Sequence, residues 1–294
     1  RSSHPMRGDV IFARFFKMGC MKPTKTLRGQ LFRLTGPIFV ETLLIMLLGA
    51  MDTFMLSHYS DDTVAAVGVV NQLLSLVFLV FGVSTVGTSV LCSQYLGALQ
   101  QANVRQVIGV SLFFNTLIGV ITSAFLYFRA EVLLKMMDLA PELIDEGLAY
   151  MQIVGGFAFL QAIALTMSAV LRSHNKAYYP MRVTLLMNVL NIIGNYALIF
   201  GKFGLPQMGV VGAAISTTSC RAVALALLLY ITFGKVVPRF SFSCLRPFPW
   251  DKLKNLLHIG LPAAGEQVSY SLSQVVITYF TVMLGTAALT ARTY

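Results

Sequence analysis

The sequence predicts an all-α protein that crosses a membrane several times. Of its 294 residues, 56% are hydrophobic and only 12% are charged, whereas an ordinary soluble domain has about 25% charged residues. The mean hydropathy is +0.73. The hydrophobic residues form long blocks, such as 37–57 and 111–128, and about 20 apolar residues suffice for a helix to cross a bilayer. We therefore expect a polytopic bundle of helices, because the short alternating segments of a closed β-barrel do not occur in the sequence.

Seven blocks are long enough to span a membrane, and they set the order of the predicted bundle. A loop rich in Pro, Phe and Arg separates the first six from the seventh. The predicted helices are 34–57, 66–95, 104–128, 147–171, 178–201, 208–234 and 256–284. The predicted regions are a basic leader at 1–33, a six-helix lobe at 34–235, an inter-lobe loop at 236–255 and the first helix of a second lobe at 256–294.

The basic residues predict the orientation of the bundle. Lys and Arg concentrate in the leader and in alternate loops, above all in 235–254, whereas the opposite loops collect Asp and Glu. Because cytoplasmic loops retain Lys and Arg, we expect a cytoplasmic amino terminus in an inner (plasma) membrane protein. The net charge of +10 does not indicate nucleic-acid binding, since the basic residues lie at helix ends and not on one solvated face.

A weak internal repeat relates the first and seventh predicted helices. An offset of 225 residues aligns Pro37 with Pro262 and Glu41 with Glu266. Several transporter folds build two lobes from parallel repeats. The repeat therefore predicts a second copy that is cut off after its first helix.

Three ionisable side chains within the predicted spans are candidates for function, because a charge at the bilayer centre costs about 3 kcal/mol. Glu41 and Asp52 are separated by close to three helical turns and share one face of the first helix. We expect Glu41 to reach water near the headgroups. Asp52 follows an unbroken apolar run and is too short to reach water, so a protonated or cation-bound state is favoured. Arg221 could pair with a carboxylate or with freed carbonyls, and the sequence assigns it no role.

The fifth predicted helix carries a stripe of polar side chains on one face. Single amides can simply hold membrane helices together. A face of Asn opposite an Asp, however, supplies oxygen ligands for a hard cation or hydrogen bonds that tune a carboxylate for protons. The stripe consists of Thr184, Asn188, Asn191 and Asn195.

Pro37 has two interpretations. It permits a bend where it removes a backbone hydrogen bond, or it only marks the start of the first helix, where proline is well tolerated. The sequence contains no Walker loop, G-x-S-x-G elbow or H-E-x-x-H zinc motif. An intramembrane hydrolase would also need a second catalytic group near Asp52, and none is evident. The sequence therefore predicts neither an enzyme nor a cofactor.

From about residue 36 to the end, the chain resembles the multidrug and toxic compound extrusion (MATE) family. The likeness rests on the first helix, where the residues DTFM at 52–55 are followed by AAVG at 65–68. The order and spacing of further segments make it fairly specific. These segments are 171–180, 191–201 and 208–214.

The resemblance implies twelve helices in two six-helix lobes around a central cleft, and export of organic cations, drugs or metabolites in exchange for protons or sodium by a monomer. It places Asp52 at a coupling-cation position and Pro37 at a bend-forming proline. The fifth-helix pair falls on Asn191 and Asn195, and some members have an acid where this chain has Asn195. Tyr150 and Thr217 match surrounding cavity positions.

Two alternatives remain open from the sequence. A lipid-linked oligosaccharide flippase of the same superfamily would want a basic cavity, and the sequence lacks several inward-facing Arg or Lys residues. The chain could also be a fragment without function of its own. Glu266, the only acid of the seventh helix, matches no second-lobe cation residue securely.

Overall fold

The computed structural model describes residues 25–137, 139–202, 204, 206–237, 240 and 248–283. Within these ranges the chain is helical and contains no strand, which confirms the all-α class. Residues 1–24 of the predicted leader, most of the inter-lobe loop and the end of the seventh predicted helix lie outside them. The helices are α1 (Lys25–Ser57), α2 (Asp61–Gly97), α3 (Gln101–Phe128), α4 (Ala130–Met136), α5 (Ile144–Tyr150), α6 (Ala158–Ser173), α7 (Tyr178–Ile199), α8 (Gly209–Ile231) and α9 (Trp250–Met283).

The described helices confirm a multi-pass membrane protein, although not all seven predicted spans. By length and composition, α1, α2, α3, α7 and α8 can each cross a membrane. The segments around α5 and α6 make a sixth span if they are counted together. The seventh predicted span forms α9, which does not belong to this set among the described residues. Its described part carries many polar side chains, which lower its hydropathy.

The fourth predicted helix is broken, which corrects the prediction of one continuous helix over 147–171. A π-helical turn, Met151–Gly155, follows α5, and the two halves meet at an angle of 42°. Glycines weaken a helix, and here Gly155 and Gly156 also allow close contact with Leu126 and Tyr127 of α3. The short helix α4, which the sequence analysis did not predict, follows directly after α3.

Pro37 lies inside α1, because this helix begins at Lys25 and not near residue 34. The interpretation that Pro37 only marks a helix start is therefore wrong. A proline inside a helix removes the bond to the carbonyl four residues earlier. The Thr42 hydroxyl donates to the Ile38 carbonyl at 3.0 Å, an interaction that often bends helices. Both features favour a bend in this half of α1.

Close helix contacts hold the bundle together. α7 packs against α1 and α8, whereas α2 packs against α3, α6 and α9. Glycines permit two of these contacts: a Cβ atom on Gly212 would lie 2.6 Å from the Leu198 carbonyl oxygen, and one on Gly87 would lie 2.5 Å from the Leu256 carbonyl oxygen. Small residues at helix interfaces let backbones approach closely, which is how membrane helices associate.

Candidate cation-coupling site

Asp52 lies at the interface between α1 and α7, in the half of α1 that follows Pro37. Its side chain is half-buried. The Asn195 side chain of α7 donates a hydrogen bond of 2.6 Å to one carboxylate oxygen of Asp52. The structure thus brings together the aspartate and one amide of the stripe predicted from the sequence.

Two amides of α7 continue the hydrogen-bonded row that starts at Asp52. Asn195 also donates to the side-chain oxygen of Asn191 at 3.1 Å, and Asn191 donates to the Thr217 hydroxyl of α8 at 3.2 Å. Asn188 donates to the Leu44 carbonyl of α1 at 2.7 Å. The three amides are buried and connect α7 to both of its neighbours, so that α1 and α8 are linked through the row.

Two buried amide oxygens beside this row have no hydrogen-bond partner in the part of the chain that the structure describes. They belong to Asn188 and Asn195. Buried polar atoms are normally paired, so an unpaired oxygen needs an explanation. The oxygen of Asn195 belongs to the amide that already contacts Asp52. It is suited to accept a hydrogen bond from a protonated Asp52 or to bind a hard cation.

Tyr150 and Thr217, the predicted cavity positions, are both buried in this region. Tyr150 ends α5 immediately before the π-helical turn, and its ring belongs to the main apolar core. Its hydroxyl interacts with the Asn71 side chain of α2 and lies within electrostatic reach of Asp52. Asn71 was not predicted as a site residue, because a single polar residue in a long helix gives no periodic signal.

Arg221 of α8 lies beside the same site. The Asp52 carboxylate is within its electrostatic reach, but the two form no ion pair within 4.0 Å. The guanidinium carbon is 5.4 Å from the centre of the Phe78 ring of α2, a contact worth about 0.5–2 kcal/mol. Its Nη1 atom is buried without a hydrogen-bond partner among the described residues. The sequence had offered a carboxylate or free carbonyls as partners, and the structure places the guanidinium over an aromatic ring.

Glu41 does not reach water, which corrects the prediction for this residue. Its side chain is 8% exposed, and its two carboxylate oxygens lie 3.1 and 3.3 Å from Nη1 of Arg172 at the end of α6. Because α1 begins at Lys25, Glu41 lies more than four turns into the helix and not near its start. Arg172 lies one residue beyond the predicted fourth helix, 147–171, and no short-range pattern relates it to Glu41, 131 residues earlier in the chain.

No candidate metal cluster was found in the described ranges: they contain no group of three or more His, Cys, Asp or Glu side chains able to hold a metal ion. Glu266 is exposed on α9 and is far along the chain from the residues that surround Asp52.

The fold and the site define a polytopic α-helical membrane protein with a polar, hydrogen-bonded centre inside its helix bundle. Residues 37–197, more than half of the chain, match the family model described as MatE. The chain belongs to the MATE family, whose members are transporters and not enzymes.

Relatives and solved structures agree with this assignment. The chain is 42% identical to an uncharacterized transporter, YisQ, of Bacillus subtilis over 95% of its length, and 32% identical to a probable multidrug resistance protein NorM of Thermotoga maritima over 89%. It spans 61% and 56% of those two proteins. A solved multidrug resistance MATE family transporter in an outward-facing conformation shares the fold, with a TM-score of 0.76 and 23% identity over 87% of this chain and 56% of that one.

Proposed function

We propose that this chain forms one lobe of a secondary active antiporter, which exports organic cations, drugs or metabolites in exchange for protons or sodium. The protein lies in the inner (plasma) membrane as a monomer with its amino terminus in the cytoplasm. Its relatives support the class, because several are called multidrug resistance proteins. The chain spans about half the length of the curated relatives it matches, so the activity belongs to the protein in its full natural length.

The observation that carries the proposal is the environment of Asp52. One of its oxygens holds a hydrogen bond from Asn195, while the oxygen of the same amide is buried and unpaired in the described chain. A carboxylate with a free neutral acceptor beside it can take up a proton or a sodium ion without leaving the bundle. The side-chain oxygen of Asn188 is also unpaired among the described residues, but Asn188 donates to a backbone carbonyl and not to a carboxylate.

Coupling follows if the ion and the substrate use the same carboxylate in turn. A ligand shifts a conformational equilibrium only by its difference in affinity for the two states. An ion bound at Asp52 removes the negative charge that attracts an organic cation, so each ligand disfavours the other. In this mechanism α1 moves about Pro37 when the ion binds, and the substrate leaves on the outer side.

An Asp52→Asn variant tests the proposal. We expect it to insert and fold normally and to lose efflux of ethidium from proteoliposomes or cells, because Asn cannot change its charge when an ion binds. The exposed Asp62 at the start of α2 offers a matched control, and Asp62→Asn should keep its efflux. Proton and sodium gradients are applied separately to identify the coupling ion.

Undiminished ethidium efflux by Asp52→Asn would remove Asp52 from the mechanism. If the unaltered protein moves ethidium equally well without either gradient, the antiport proposal fails as a whole.

A further inference from the structure

We propose that Arg221 is a resident counter-cation of Asp52: its guanidinium pairs with the carboxylate when the coupling ion has left, and moves to the Phe78 ring when the ion is bound. This inference rests on the proposed function and adds a positioning residue to the same site. Asp52, Arg221 and Phe78, the three residues involved, all lie in the part of the chain that the structure describes.

The guanidinium of Arg221 is a charge that is costly to hold inside a membrane-spanning helix. Arg221 lies inside α8, one of the helices able to cross a membrane, and a guanidinium remains charged there because it does not lose its proton in proteins. Its Nη1 atom is buried without a hydrogen-bond partner in the described chain, and the Phe78 ring faces the guanidinium carbon at 5.4 Å. An aromatic ring attracts the charge but leaves its N–H groups unpaired. We therefore infer that the guanidinium occupies the Phe78 ring in only one of two states of the site and has a second partner in the other state.

The carboxylate of Asp52 has room for a further hydrogen-bond donor. A carboxylate can accept about four hydrogen bonds, and Asp52 receives one short bond from Asn195. Arg221 is within its electrostatic reach but beyond the 4.0 Å of an ion pair. The arginine side chain thus lies near the carboxylate without pairing with it, and a change of its rotamer is the movement that the inference requires.

The other groups around Asp52 do not compete for this role. Of the described residues, those within its electrostatic reach are Arg221 and Cys220 of α8 and Tyr150 of α5, and Asn195 of α7 is neutral. Arg221 is the one cation among them. The net charge of the site then alternates between two values. It is zero when Asp52 is ionised and paired with Arg221, and it is +1 when the coupling ion is bound to Asp52. The positive state repels an organic cation and assists its release.

An infrared titration of the purified, full-length protein tests the inference. The absorption of the protonated carboxyl group of Asp52, identified by its loss in Asp52→Asn, is followed against pH. We expect Arg221→Met to move the midpoint upward by about one pH unit or more, because a nearby cation favours the ionised carboxylate. Arg221→Lys should stay near the original midpoint, since it keeps the charge.

Arg182→Met is the matched control, because Arg182 is also an arginine over an aromatic ring, with its guanidinium carbon 5.3 Å from the centre of the Tyr178 ring. It is exposed and lies near the start of α7, about 20 Å along the helix axis from Asn195. An exposed charge at that distance is largely screened by salt, so we expect the midpoint to stay unchanged.

An unchanged midpoint in Arg221→Met, or an equal shift in Arg182→Met, overturns the inference. Neither result would affect the proposed antiport, which depends on the efflux of Asp52→Asn.

A second variant keeps the inference testable if Arg221→Met does not fold. Phe78→Leu removes the alternative partner of the guanidinium and leaves both charges in place. Arg221 should then spend more time at the carboxylate, and the midpoint should move to lower pH. An unchanged midpoint, or a move to higher pH, would contradict the alternation between ring and carboxylate.

Discussion

Removing one partner of the buried ion pair between Glu41 and Arg172 should destabilise the bundle more than removing one partner of an exposed pair. Glu41→Gln would leave the Arg172 guanidinium with no opposite charge where its side chain is only 25% exposed. Breaking a buried pair by removing one partner costs about 3–5 kcal/mol. Because the Arg172 side chain is still partly exposed, we expect Glu41→Gln to lower the free energy of unfolding by the lower end of that range, about 3 kcal/mol.

Thermal unfolding in detergent, followed by intrinsic fluorescence, measures this effect. The pair between Glu131 and Lys135 on α4 supplies the control, because its side chains are 59% and 60% exposed. Exposed pairs contribute little to stability, so Glu131→Gln should leave the melting temperature unchanged. Glu41→Gln should lower it by several degrees, and Glu41→Gln with Arg172→Gln should recover part of the loss. If Glu41→Gln melts like Glu131→Gln, this pair does not hold α1 against α6.

Two further predictions concern helix packing. Gly87→Val should lower the melting temperature, because a Cβ atom at this position would lie 2.5 Å from the α9 backbone. Gly82→Val is the control and should not lower it, because nothing lies within 4 Å of its Cβ position. Equal effects of the two variants would contradict the proposed contact between α2 and α9. Asn188→Leu should cost about 1 kcal/mol of stability in the same assay, because it removes the bond to the Leu44 carbonyl. An unchanged melting temperature would show that this bond does not stabilise the contact between α1 and α7.

Sequence patterns predicted the order of the spans, because a span is recognised from residues that are close together in the chain. Apolar length identified α1, α2, α3, α7 and α8, and the spacing of four and three residues placed Asn188, Asn191 and Asn195 on one face of α7. The break between α5 and α6 was missed, because the glycines that permit it lie within an otherwise apolar run. Its backbone is supported from another helix: the Ser123 hydroxyl accepts a hydrogen bond of 3.0 Å from the Phe159 N–H.

Partners from distant parts of the chain could not be predicted from one sequence. Glu41 and Arg172 are 131 residues apart, and the choice between water and a buried partner for Glu41 depended on where α1 begins. Arg221 is a similar case, since its neighbour Phe78 is one of many aromatic residues in the spans and carries no pattern of its own. A single charge in an apolar helix thus indicates that a partner is needed, while the fold decides which one it is.

The predicted repeat shows that a sequence pattern can place equivalent residues in two helices while the surrounding helices determine the environment of each residue. Pro37 and Pro262 both lie inside their helices, and an acid follows each proline four residues later. Yet Glu41 is buried against Arg172, whereas the aligned Glu266 is exposed. The pattern fixes a proline and an acid one turn apart in both helices, and the helices packed around each acid determine whether it serves as a structural ion pair or stays accessible to other ligands.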